Sequence, residues 1–97
     1  MDRGINGKKG CSIVVYGIVQ GIGYRYSALK AASRFHVDGW VRNNSDGSVE
    51  IDCEGNAEDL AEFIGWLKKG PPYARITSVD IRYKDYQGIY SGFSIEY

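Results

Sequence analysis

Apolar residues recur at two different periods along this chain, and the points where the period changes set the order of its elements. From Ser48 to Glu54 the period is two. Val49, Ile51 and Cys53 fall on one side, and Ser48, Glu50 and Asp52 on the other. That pattern is a strand with one buried face. From Asn56 onward the period becomes helical, with Leu60, Phe63, Ile64 and Leu67 at i, i+3, i+4 and i+7. Tyr24, Ala28, Ala32 and Phe35 describe a second helix. Three further runs read as strands: Cys11–Tyr16, Val37–Asn43 and Arg75–Lys84, with a short final one over Gly92–Tyr97. The first of these is β-branched on both faces, which suits a central strand.

The punctuation agrees with these periods. His36 sits at the C′ position of the first helix, where left-handed backbone is usual and His is tolerated. Asp46-Gly47 is a hairpin signal between the second and third strands. Asn56 is placed as an N-cap, with Asp59 three residues on as a variant capping box. Glu58, Asp59 and Glu62 lie early in that helix and Lys68 and Lys69 late, which suits its dipole. Gly70-Pro71-Pro72 stops it. The resulting order, β-α-β-β-α-β-β, predicts an α+β fold. It is a ferredoxin-like α/β sandwich of split βαβ units, an antiparallel sheet with two helices on one face. The other face is expected to be largely solvated.

Ninety-seven residues make one domain. Residues 1–10 have no periodicity and read as a flexible lead-in to a domain over 11–97. They also lack the apolar core of a signal peptide, and no stretch approaches the ~20 apolar residues of a membrane span. A cytoplasmic protein without a membrane partner is expected. Twelve basic and twelve acidic residues cancel, which argues against a nucleic-acid partner bound through phosphate neutralisation. The zero hides an asymmetry. Residues 1–37 carry six basic residues and one acid, a net +5. Residues 38–97 carry six basic and eleven acidic residues, a net −5. A local cationic site is therefore compatible with a neutral chain.

The segment that joins the first strand to the first helix is the place to look for one. Gly17, Gly21 and Gly23 let successive N–H groups converge on an anion, and a helix N-terminus follows directly. Arg25 comes within its first turn, where a cation opposes the helix dipole and is unhelpful to folding. The spacing is neither a Walker A motif nor a dinucleotide fingerprint. Taken alone, such a loop is as often structural as functional.

A longer pattern carries more weight. Gly17-Ile18-Val19-Gln20-Gly21-Ile22-Gly23-Tyr24-Arg25 closely resembles the signature of the acylphosphatase family. A second block, Gly39-Trp40-Val41-Arg42-Asn43 followed by Asp46-Gly47-Ser48-Val49-Glu50, resembles the family's second motif, in the right order and at the right separation. Gly55, Trp66-Leu67, Gly70-Pro71-Pro72 and the Phe93–Tyr97 ending extend the resemblance over about residues 11–97. It departs at position 18, which is Ile where the family usually has Arg or Lys. The resemblance implies hydrolysis of the carboxyl–phosphate anhydride of acyl phosphates, without metal, cofactor or covalent intermediate. The backbone N–H groups of Gln20, Gly21, Ile22, Gly23 and Tyr24 and the Arg25 side chain would bind phosphate. Asn43 would orient the attacking water. The implied partners are a small-molecule acyl phosphate and inorganic phosphate, the latter as product and inhibitor, and a monomer is expected.

The residue chemistry is consistent with this. The loop region holds no His, Cys or carboxylate. An acyl phosphate leaves as a carboxylate of pKa near ~4–5 and needs no general acid, unlike a phosphomonoester. Positioning and electrostatics can carry such a transfer. Asn43 by itself also reads as the start of the hairpin turn. Two other classes remain open at this level. One is a non-catalytic module that binds phosphate or carbamoyl phosphate. The other is an RNA-binding sheet face, against which the acidic Glu50 and Asp52 count. Cys11 and Cys53 are expected as cross-strand neighbours on the helix-facing side, either as reduced core thiols or as a disulfide.

Overall fold

The computed structural model describes residues 7–97. Seven elements follow in the expected order: β1 (Lys8–Ile18), α1 (Tyr24–Arg34), β2 (Asp38–Asn43), β3 (Val49–Asn56), α2 (Ala57–Lys69), β4 (Arg75–Lys84) and β5 (Phe93–Glu96). The strands form one five-stranded sheet in the order β4-β1-β3-β2-β5. β1 is interior to the sheet, antiparallel to β3 on one side and to β4 on the other. The fold is the expected ferredoxin-like α+β arrangement.

Three details differ from the sequence reading. The sheet is mixed rather than wholly antiparallel, because β5 runs parallel to β2, from Gly39 opposite Phe93 to Arg42 opposite Glu96. β4 and β5 lie on opposite edges, so residues 85–92 cross one end of the sheet. β5 runs opposite to β4, and because the crossing carries it to the far edge it lands beside β2, which shares its direction. β1 also begins before its apolar run. Lys8, Lys9 and Gly10 pair with Asn56, Gly55 and Glu54, so these three residues of the expected lead-in are strand. Ladder pairing needs backbone groups, not apolar side chains. Residues 1–6 of that lead-in lie outside the described residues. Asn56 does hold the N-cap position of α2, but its side chain makes no capping hydrogen bond.

The core lies between the helices and one sheet face. β1 contributes Cys11, Ile13 and Val15, and β3 contributes Val49, Ile51 and Cys53, all fully buried. α2 adds Leu60, Phe63, Ile64 and Leu67, each worth roughly 1.5–3 kcal/mol of burial. α1 buries mainly Ala28, Ala31 and Ala32. These small residues let the helix backbone approach the sheet, and leave its long side chains for the surface. Its C-terminus closes as a Schellman motif. His36 N–H donates to Ser33 O (3.4 Å) and Val37 N–H to Ala32 O (2.9 Å), with His36 at φ 60°.

Cys11 and Cys53 are direct cross-strand partners, as expected, and both are free buried thiols. The Cys53 thiol donates to the Cys11 carbonyl at 3.7 Å. Burial pushes the Cys11 thiol up to about 11 and raises Cys53 as well. Both therefore remain protonated and unreactive at neutral pH.

The face away from the helices is not fully open. Glu54 points there by alternation, yet it is only 3% exposed. Its carboxylate accepts N–H bonds from Gln87 (2.7 Å), Gly88 (3.1 Å) and Ile89 (3.1 Å). Three bonds to one charge offset its desolvation and fasten the crossing segment to the sheet end. That segment sets the path of β5, and through it the side of the site described next.

Candidate active site

The site lies at the end of the sheet where β1 and β5 finish, β2 turns into β3, and α1 begins. Two blocks far apart in sequence meet there because β1, which feeds the glycine loop, and β2, which carries Asn43, are both neighbours of β3. A pocket of about 250 Å³ is lined by Val19, Gly21, Gly23, Tyr24, Arg25, Tyr26, Asn43, Ile95 and Tyr97. Arg25 is the one charged side chain in this lining.

The helix start has the general features of an anion site. Gly23 is the N-cap, at φ 81° and ψ 18°, a left-handed conformation that glycine adopts without cost. No side chain caps the helix, and its first turn contains no acid. The first intrahelical bond at this end runs from Ser27 N–H to Gly23 O at 3.0 Å. The N–H groups that precede it are those a helix leaves without intrahelical partners. Together they present partial positive charge to the pocket.

Arg25 is held from β5. One guanidinium nitrogen donates to the Glu96 carbonyl at 3.4 Å, and the Tyr97 ring lies 4.8 Å from the guanidinium carbon. Both contacts restrain the side chain without neutralising it. Asn43 stands at the last position of β2, opposite Val49. Its side-chain oxygen is buried and has no hydrogen-bond partner. An unpaired buried carbonyl costs about 1–3 kcal/mol. Such an unpaired group calls for a physical reason, and Asn43 lies in the pocket lining.

The structure sorts the expected residues. Gly21, Gly23, Tyr24, Arg25 and Asn43 come together in the pocket, and Gln20 and Ile22 do not line it. The Gln20 side-chain amide donates to the carbonyls of Asn44 (2.7 Å) and Ser48 (2.9 Å), tying the glycine loop to the β2–β3 turn. Asn44 faces that turn and donates to Ser48 Oγ at 3.0 Å. Asp46 closes the turn by accepting from the Ser48 hydroxyl and N–H, which lowers its pKa below the ordinary carboxylate value. Tyr24 contributes its backbone to the site. Its buried ring points into the core, and its hydroxyl donates to Leu67 O at 3.0 Å. Ile18 is well exposed and takes no part in the pocket. His36 is at the far end of α1. Val19, Tyr26, Ile95 and Tyr97 are pocket residues that the sequence reading did not name as site residues. The last two reach the site only through the parallel pairing of β5, which no local pattern signals.

The whole chain can now be set beside known proteins. The acylphosphatase family model matches residues 11–95. The chain belongs to the acylphosphatase family. An acylphosphatase from Thermococcus kodakarensis is 43% identical over 81 residues, covering 84% of this chain and 88% of that protein. Solved acylphosphatase structures are similar in fold. The Bacillus subtilis enzyme matches with a TM-score of 0.88 at 35% identity, over 92% of this chain and 99% of its own. The Coxiella burnetii protein matches with a TM-score of 0.90 at 30% identity, over 99% of this chain and all of its own. Like its relatives, this acylphosphatase is an enzyme of ferredoxin-like fold. Among the described residues, no three His, Cys, Asp or Glu side chains converge, and no helix is long and apolar enough to cross a membrane.

Proposed function

We propose that this acylphosphatase hydrolyses small acyl phosphates to carboxylate and inorganic phosphate by direct attack of a water oriented by Asn43. One observation carries the reading. The pocket joins an uncapped helix N-terminus, a single cation, Arg25, and the unpartnered oxygen of Asn43. In this reading the N–H groups of Gln20 to Tyr24 and the Arg25 guanidinium take the phosphoryl oxygens, and charge that builds up in transfer is met by donors already in place. Asn43 is no base near neutral pH, but its amide both donates and accepts, so it can fix the direction of a water. The departing carboxylate needs no proton, which suits a pocket without an acid. The proton released by water passes to the phosphate. No phosphoenzyme is expected, because no Ser, Thr, Cys, His or carboxylate side chain lines the pocket. Inorganic phosphate, as product, competes for the same N–H groups.

The test is hydrolysis of benzoyl phosphate with EDTA present, followed by its ultraviolet absorbance. Turnover should survive EDTA and be inhibited competitively by phosphate. Arg25→Gln should raise KM and lower kcat, since the guanidinium meets both the ground state and the transition state. Tight phosphate binding with no turnover would replace the reading with a non-catalytic phosphate-binding module. A metal requirement would overturn the mechanism.

A further inference from the structure

A second cavity lies apart from the site above. It is an open groove of about 890 Å³ between α1 and the C-terminal end of α2. Its floor is apolar, formed by Ala31, Trp66 and Pro71, and its banks carry Lys30 and Arg34 on one side and Lys69 on the other. No acidic residue lines it. Among the described residues, none of the three cations has a carboxylate within ion-pair distance; the ion pairs present are Arg42–Glu50, Arg82–Asp80 and Lys84–Asp52. The fold places this groove firmly. Tyr24 is tied to α2 through the Leu67 carbonyl and packs against Trp66 at 5.8 Å between ring centroids.

We infer that this groove is a docking site for a short acidic polypeptide segment bearing a large apolar side chain. The chemistry of the lining selects that class. A small inorganic anion finds only exposed cations here, two of them lying over aromatic rings, Lys30 over Tyr26 and Arg34 over Phe35. An apolar ligand alone leaves three cations unmatched. A segment with carboxylates on both flanks of one apolar residue meets both features at once, the apolar group on the Trp66–Pro71 floor and the carboxylates at the two banks. A long polyanion is a poorer fit. The chain is neutral overall and −5 from residue 38 onward, so charge beyond the groove would repel it. The inference is independent of the proposed hydrolysis, because no groove residue belongs to the catalytic pocket apart from their shared helix.

Fluorescence anisotropy of a labelled twelve-residue Glu/Asp peptide with one central Trp, titrated with the protein at 50 mM and 150 mM salt, tests this. Binding should weaken as salt rises. Lys30→Glu and Lys69→Glu should each weaken it at least fivefold, and Trp66→Leu, less polar and smaller than Trp, should weaken it about threefold. Arg82→Glu, which changes the same charge on the sheet, should leave it unchanged. Circular dichroism and benzoyl phosphate turnover of the same variants should match the parent, which separates a docking loss from a folding or catalytic one. Equal binding of a peptide with Ala in place of its Trp would overturn the proposal. So would equal loss on Arg82→Glu, or tighter binding of a single-stranded RNA 12-mer or an anionic lipid vesicle at the same residues.

Discussion

Removing the Asn43 side chain should separate activity from stability in opposite directions. The Asn43 oxygen is buried with no partner, at a cost of about 1–3 kcal/mol to the folded state. Asn43→Ala relieves that cost. It also removes one buried carbon, a loss of about 0.8 kcal/mol. The balance runs from about zero to a gain of about 2 kcal/mol. For a domain of about a hundred residues, each kcal/mol shifts Tm by about 4–8 °C. The variant should therefore melt at or above the parent temperature, by as much as about 15 °C. Its kcat on benzoyl phosphate should fall by about 10²–10³, the scale on which losing an oriented polar group acts. KM should change little, because the proposed phosphate contacts are elsewhere. Thermal unfolding by circular dichroism and initial-rate kinetics on one preparation decide it. A drop in Tm of more than about 5 °C together with kcat within about twofold of the parent would show that Asn43 serves the β2–β3 turn and not the reaction.

Three other perturbations follow from the same geometry. Gly39→Ala should destabilise by at least about 2 kcal/mol in urea titrations, since φ is 148° and a Cβ would come within 2.0 Å of the Asp52 carbonyl oxygen. Tyr24→Phe leaves the Leu67 carbonyl without its 3.0 Å donor and should cost about 1–2 kcal/mol with kcat nearly intact. Asp46 has a lowered pKa because Ser48 donates to it twice. Its contribution is complete above the ordinary carboxylate pKa and is lost as pH falls through the lowered folded-state value. The stability difference between the parent and Asp46→Asn should therefore be present at pH 6 and vanish at strongly acidic pH. A difference independent of pH would refute that assignment.

Secondary structure was legible because it is local. The period-two run through Val49, Ile51 and Cys53 and the helical run through Leu60, Phe63, Ile64 and Leu67 each report their own burial, and both stand as read. His36 at C′ was legible for the same reason: left-handed backbone at a helix end is a property of a few neighbouring residues. Arg25 stood out because a cation in the first turn of a helix is misplaced for folding. The boundaries at Lys8 and Asn56 were less legible, because ladder bonds made by polar and glycine residues leave no hydrophobic trace.

By itself the sequence determined the order of elements, the family, and the two blocks that supply Arg25 and Asn43. Tertiary structure alone decided how those blocks are completed. Parallel pairing of β5 with β2 puts the Glu96 carbonyl and the Tyr97 ring beside Arg25, and Glu54 secures the crossing segment that makes this pairing possible. It also made the Gln20 side chain a tie between the loop and the turn, and left the Asn43 oxygen unpartnered. The reason is one of range. Periodicity and capping act over a few residues and are written in the chain. A strand's choice of edge and a side chain's choice of partner depend on surfaces that exist only after the sheet has closed.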